Sequence, residues 1–179
     1  MPAIEMNALD QYVQGDLNGR VSVQNILRGN PTGELAKSFA KNFPIEDLKR
    51  AIERSVIKEN TVVFRGTSNQ DILNAKVGDV ITEKGFTSTS KEYRGAEKFA
   101  GKLADSQGNL KDTIVRIQLP KGTRGLDVNA TYGDFKDVSV PGTTVGKFGD
   151  NSFVAEQEVL LPPGTKFEVV GIVEGTAKD

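Results

Sequence analysis

Near residue 60 this chain changes its hydrophobic period from that of helices to that of strands, and this switch restricts its fold more than any other feature. Before it, Leu9, Tyr12 and Val13 form one apolar stripe, Leu35, Phe39 and Phe43 a second, and Leu48, Ile52, Ser55 and Val56 a third. After it, short β-branched and aromatic runs bounded by Gly, Pro, Asn and Asp take over, as strands require. Helices first and strands afterwards predict an α+β domain rather than a doubly wound α/β sheet. A chain of 179 residues can bury roughly 70% of its unfolded surface in a single core, so one domain is expected over 1–179. Residues 1–58 are its helical part and 61–175 its β-rich core.

Punctuation divides the helical part: Gly15 and Gly19 separate the first stripe from a short segment at Val23 to Leu27, and GNPTG at 29–33 reads as a loop. Pro44, with Glu46 and Asp47 in the first turn, suits a helix start. Expected strands are Thr61 to Phe64, Asp79 to Thr82, Gly85 to Thr89, Thr113 to Leu119, Gly125 to Val128, Glu156 to Leu161 and Lys166 to Val173. One amphipathic helix, Lys91 to Leu103, interrupts them, with Thr89 and Glu92 spaced as a capping box. The long polar stretch from Asn129 to Ala155 reads as a mobile functional loop near the site.

Composition narrows the chemistry. The chain has no Cys and no His, which removes disulfides, thiolate nucleophiles, the usual general base and the commonest metal ligands. Serine-triad, papain-like and zincin mechanisms are excluded. A net charge of −1 without runs of like charge gives no footprint for nucleic acid or a membrane surface. The longest apolar runs fall far short of the roughly 20 residues that span a bilayer, and MPAIEMNALDQ lacks a signal-like apolar region. A soluble monomer is expected. The segment GTTVGKF at 142–148 has three residues between its glycines and Phe after Lys, so it is not a Walker loop.

Three features could carry chemistry: Arg65 in VVFRGTS, the hydroxyl run in GFTSTS, and the acidic pair in AEQEVLLPPGT. Taken singly they have ordinary readings, as a solvated or ion-paired Arg, a helix cap and a solvent-facing edge stripe. Taken together they are harder to dismiss. On one extended strand Glu156 and Glu158 would share a face about 6.5 Å apart, immediately before the apolar run Val159, Leu160, Leu161. Carboxylates at the mouth of a strand entering the core are costly without partners, and Arg65 and Ser88 are of the types that supply them.

These residues resemble the bacterial and phage ADP-ribosyltransferase exoenzyme family, whose signature is Arg, then Ser-Thr-Ser, then Glu-x-Glu. Arg65 in VVFRG matches the strand-end arginine. Phe86 followed by Ser88-Thr89-Ser90 matches the aromatic-x-Ser-Thr-Ser segment, and Glu156-Gln157-Glu158 followed by VLLPPGTKFEVV matches the Glu-x-Glu strand and its Pro-Gly turn. VQNILRG and TIVRIQLPKGT extend the resemblance along nearly the whole chain. It implies an ADP-ribosyltransferase-like fold of two packed, roughly perpendicular β-sheets with N-terminal helices, and NAD, as cosubstrate, in the cleft of the β-rich core.

The resemblance further implies mono-ADP-ribosyl transfer from NAD to a protein arginine without a metal. The nicotinamide leaves neutral and needs no general acid, so the absence of His is compatible with the chemistry. Glu158 would steady the oxocarbenium-like transition state and bond the ribose 2′-hydroxyl. A carboxylate at ~4 Å and an effective dielectric of ~20 supplies about 4 kcal/mol to such a cation. By the same resemblance Ser88 would orient Glu158, Arg65 would clamp the pyrophosphate, and Glu156 would position and deprotonate the acceptor. Gly66, Gln70, Thr89 and Arg116 would lie against the dinucleotide, with an exposed strand arginine the other reading of Arg116. Phe153 is either the aromatic of a target-recognition loop or a loop residue that simply packs. The acceptor is a protein of undetermined identity, actin being one target found among relatives, met in host-cell cytoplasm. The alternatives are an NAD glycohydrolase and an inactive phage or toxin-associated binding module.

Overall fold

The computed structural model describes residues 1–14, 17–29, 34–67, 69–104, 107–108, 110–134 and 157–172. Four helices lead the chain: α1 (Ala3–Gln14), α2 (Leu17–Leu27), α3 (Glu34–Asn42) and α4 (Ile45–Arg54). Pro44 occupies the N-cap position of α4 without a side-chain capping bond, while Glu46 and Asp47 sit in its first turn and Arg54 in its last, so both ends complement the helix dipole. Its apolar stripe is buried at Leu48, Ala51 and Ile52. The stripe stops there: Ser55 is the C-cap, and Val56 has left the helix to form an isolated β-bridge with Arg124.

The remaining elements are β1 (Thr61–Thr67), α5 (Gln70–Leu73), β2 (Val80–Glu83), β3 (Thr87–Ser90), α6 (Tyr93–Glu97), β4 (Lys102–Ala104), β5 (Leu110–Leu119), β6 (Leu126–Asp127), α7 (Val128–Asp134), β7 (Glu158–Leu161) and β8 (Thr165–Glu168). Among the described residues, six strands form an antiparallel sheet in the order β4-β5-β1-β3-β7-β6, and β2 pairs antiparallel with β8 in a second sheet. The class is α+β, with N-terminal helices and two antiparallel sheets, as the change of period predicts.

The large sheet separates two apolar clusters, and β7 serves both because alternate side chains leave a strand on opposite faces. Leu160 joins Leu9, Tyr12, Leu48, Ile52 and Phe86 on the helical side. Val159 and Leu161 join Ile57, Val63, Ile117 and Leu119 on the other, where Phe167 of the small sheet packs. All four residues of β7 are buried. Gly164 adopts a φ of 83° in the tight link from β7 to β8, a left-handed conformation that costs glycine little.

Several boundaries differ from the sequence expectation. Only Tyr93–Glu97 of the expected helix Lys91 to Leu103 is helical. The Gly101 amide bonds the Thr67 carbonyl, and Lys102–Ala104 pair with an N-terminal extension of β5, so sheet pairing overrides the helical period. The Thr89–Glu92 capping box does not form. Thr89 Oγ1 donates to the Val159 carbonyl at 2.8 Å, and Ser90 Oγ instead accepts from the Glu92 amide at 3.0 Å. Residues 128–134 are helical rather than loop, while 135–155 of the expected mobile stretch, including the glycine-containing 142–148, lie outside the described residues. The last strand ends at Glu168 rather than at Val173, which is also outside them.

Candidate active site

A cavity of about 240 Å³ opens where α1, α2, β1, β3, α6 and β7 converge. Strand register explains which side chains reach it. Ser90 and Glu158 are direct partners across β3 and β7, and Ser88 lies two residues along β3 from Ser90, so all three share the face turned to the helices. Glu158 is only 6% exposed. The extended chain begins at this residue, because Gln157 before it has a φ of 46°. The regular i, i+2 alternation expected for Glu156 and Glu158 therefore does not run through position 157. Glu156 and Phe153 lie outside the described residues.

From the helical side, α1 presents Tyr12, whose hydroxyl is 3.3 Å from Ser88 Oγ and accepts from Gln24 Nε2 at 3.2 Å. Gln24 also donates to the Phe86 carbonyl at 2.6 Å. Burial raises the Tyr12 hydroxyl above the usual phenol pKa, with the charge of Glu158 acting in the same direction against Ser88, Arg20 and Arg65. The group is thus a neutral hydroxyl at physiological pH, able to donate and accept. Ser88, expected to orient Glu158, has its hydroxyl in contact with that of Tyr12. Arg20 approaches Glu158 directly, with Nη1 3.7 Å from Oε1. Its Nε donates to the Tyr12 carbonyl at 2.7 Å, its Nη2 to the Val13 carbonyl, and the guanidinium lies over the Tyr12 ring at 5.2 Å from the centroid.

A second cationic cluster lines the same cavity. Arg65 donates from Nη1 to the Ser88 carbonyl at 3.1 Å, and its Nη2 is 3.7 Å from Glu83 Oε2. Arg28 forks onto the same carboxylate, Nε to Oε1 and Nη2 to Oε2, both at 3.0 Å. Burial pulls the Arg65 pKa down, and the charge of Arg28 adds to this while Glu83 opposes it. For Glu83, burial would raise the pKa, but the Arg28 bonds, the Gly85 amide and the charge of Arg65 outweigh it and leave the carboxyl below its usual value.

Arg65, Gly66, Ser88, Thr89 and Glu158, all expected from sequence, line this one cavity. At Gly66, a Cβ would run into the main chain of Ala96, Phe99 and Ala100, so the glycine admits α6 and the turn after it rather than only a ligand. Thr89 spends its hydroxyl on the Val159 carbonyl. Gln70, the exposed first residue of α5, and Arg116, exposed on β5 opposite Phe64, are not among the lining residues. Tyr12, Arg20, Gln24 and Arg28 line it too; the sequence marks Tyr12 only as a member of an apolar stripe and gives the other three no role. Their helices read as core-facing stripes; the only trace was the likeness of VQNILRG, which pointed to a segment and to no residue. Among the described residues no group of three or more acidic side chains is arranged to hold a metal ion.

A protein-family model described as ADP-ribosyltransferase exoenzyme matches residues 3–179. NAD(+)–arginine ADP-ribosyltransferase EFV of Enterococcus faecalis is 28% identical over 121 residues, which is 68% of this chain and 23% of that protein. Mono(ADP-ribosyl)transferase SpvB of Salmonella typhimurium is 24% identical over 187 residues, 97% of this chain and 26% of that protein. The chain thus spans about a quarter of the length of these curated relatives. Among solved structures, exoenzyme S from Pseudomonas aeruginosa, in complex with human 14-3-3 protein beta and bound to carba-NAD, aligns with a TM-score of 0.59 at 20% identity. The alignment covers 94% of this chain and 66% of that one, a likeness of fold.

Proposed function

The chain belongs to the ADP-ribosyltransferase exoenzyme family, and from that premise we propose that it is a single catalytic domain that transfers ADP-ribose from NAD to an arginine of a protein acceptor. One observation carries the reading. A buried carboxylate, Glu158, shares a face with Ser88 and Ser90 in a cavity that also holds the guanidiniums of Arg28 and Arg65. Anionic and cationic recognition groups in one cavity suit a ligand that carries a pyrophosphate at one part and develops positive charge at another.

Arg65 and Arg28 take the pyrophosphate, for which planar, permanently charged forks are the fitting donors. Glu158 faces the ribose carbon and stabilises the cation that develops as the nicotinamide bond breaks. Arg20 anchors that carboxylate to the wall, and Tyr12 and Ser88 form the polar floor beside it. Glu156 orients the acceptor guanidinium and takes its proton as the nitrogen attacks, which suits a group whose pKa exceeds about 12. Phe153 contributes to acceptor recognition, and Gln70, Thr89 and Arg116 remain candidate dinucleotide contacts. The acceptor is met in the cytoplasm of a host cell.

Incubation with labelled NAD and with bacterial and animal lysates tests this. Label should appear on protein, and Glu158→Gln should lower transfer and NAD hydrolysis alike by about a thousandfold, the equivalent of a lost 4 kcal/mol. Glu156→Gln should suppress transfer while sparing hydrolysis. Free ADP-ribose as the sole product would make the chain a glycohydrolase, and absence of both products would refute the proposal.

A further inference from the structure

Glu83 stands behind the cavity rather than in its wall, at the point where α2, β1 and β2 meet. It ends β2, and its side chain is 17% exposed. Its two oxygens receive the fork of Arg28 at 3.0 Å, the Gly85 amide at 2.9 Å, and Arg65 at 3.7 Å. Arg28 and Arg65 both line the cavity, come from elements far apart in sequence, and repel one another. With the carboxylate between them, two long and flexible side chains are confined to one wall before any ligand arrives. Arg28 spends Nε and Nη2 on Glu83, and Arg65 spends Nη1 on the Ser88 carbonyl. Each guanidinium is thereby fixed along one edge, which leaves further N–H groups for an incoming anion.

We propose that Glu83 is a positioning residue that sets Arg28 and Arg65 as one paired receptor for the pyrophosphate of the dinucleotide. The inference rests on the NAD reading above. It makes a prediction opposite in sign to simple charge counting. Removing a negative charge beside an anion site should tighten anion binding by Coulomb's law, whereas releasing two pre-set guanidiniums should weaken it, since their ordering must then be supplied at binding.

Glu83→Gln keeps the shape and an acceptor for the Gly85 amide while removing the charge that holds both arginines. Titration of NAD, ADP-ribose and nicotinamide into the purified wild-type chain and this variant reads the sign. The expected result is about tenfold weaker binding of NAD and ADP-ribose, unchanged response to nicotinamide, and a KM for NAD raised by a similar factor with kcat within about threefold. Glu83→Asp, which keeps the charge on a shorter stem, should recover part of the loss; if Glu83→Gln does not fold, this variant alone should still bind NAD several-fold more weakly. Binding by Glu83→Gln that is equal or tighter, kcat falling at constant KM, or wild-type affinity in Glu83→Asp beside an unfolded Glu83→Gln would overturn the inference. If the wild-type chain binds neither NAD nor ADP-ribose, the NAD reading itself fails, and the inference with it.

Discussion

Gly66 shows how one residue couples strand and site. It lies in β1 next to Arg65, paired with Ile114 of β5, and the volume a side chain would need is filled by main chain from Ala96 to Ala100. Main chain cannot rotate away as a flexible side chain can, so Gly66→Ala must push α6 outward. The expected cost is about 1–3 kcal/mol, typical of forcing extra volume into a packed site, and should appear as a lowered melting temperature. Weakened NAD binding should accompany it, because Gly95, Ala96 and Phe99 line the same cavity. An unchanged melting temperature would show that α6 is free to yield. At this scale the legible residues were those whose neighbours in sequence carry the signature: Arg65, Ser88 and Glu158 each sit in a short distinctive string. Tyr12, Arg20 and Arg28 were hidden because their partners, such as Ser88 and Glu83, are 55 or more residues away in sequence, and nothing local distinguishes a tyrosine facing a core from one facing a serine hydroxyl.

Elements were legible in kind and order, less so in extent. The helices α1 and α4 follow their stripes because one face of each is buried; Met6, Leu9 and Val13 are almost fully buried in α1, as are Leu48 and Ile52 in α4. By contrast α6 stops after Glu97 although its period continues, since β5 offers an edge that Lys102–Ala104 can pair with, and edge pairing is decided by tertiary placement. The packing of α1 on α4 contains a test of its own. Glu5 of α1 is 3% exposed and is paired with Arg54, the last residue of α4, at 2.8 Å. Arg54 itself is well exposed, so the pair contributes little by attraction alone. Removing the arginine nevertheless leaves a buried carboxylate without its cation. Arg54→Ala should therefore cost about 1–3 kcal/mol, whereas the double variant Glu5→Gln/Arg54→Ala should recover much of it. Denaturant unfolding of the two single variants and the double variant measures the coupling, and strict additivity would deny that the pair matters.

Across the whole molecule, the cluster at Glu83 brings together one side chain from the helical part, one from the large sheet and one from the small sheet. Arg28 follows α2 in the helical part, Arg65 belongs to the large sheet and Glu83 to the small one. Phe167 supplies apolar packing between the two sheets, and Glu83 supplies the polar tie. Its folded-state pKa lies below the ordinary value of 4.5. A carboxyl whose pKa is depressed by folding binds protons more readily when unfolded, so its contribution is complete above the unfolded pKa and is lost as pH falls through the folded one. Global stability should accordingly be level with respect to this group from neutrality down to about pH 4.5 and should decline below that. The local charges dictate the same sign, because protonation leaves Arg28 and Arg65 facing each other without a counter-charge. Equilibrium unfolding measured in steps from pH 7 to pH 3 in the wild type and in Glu83→Gln provides the check. The variant should be less stable at pH 7 and should converge on the wild type as the pH falls. Curves that stay parallel over the whole range would mean that Glu83 titrates in the folded chain as it does in the unfolded one.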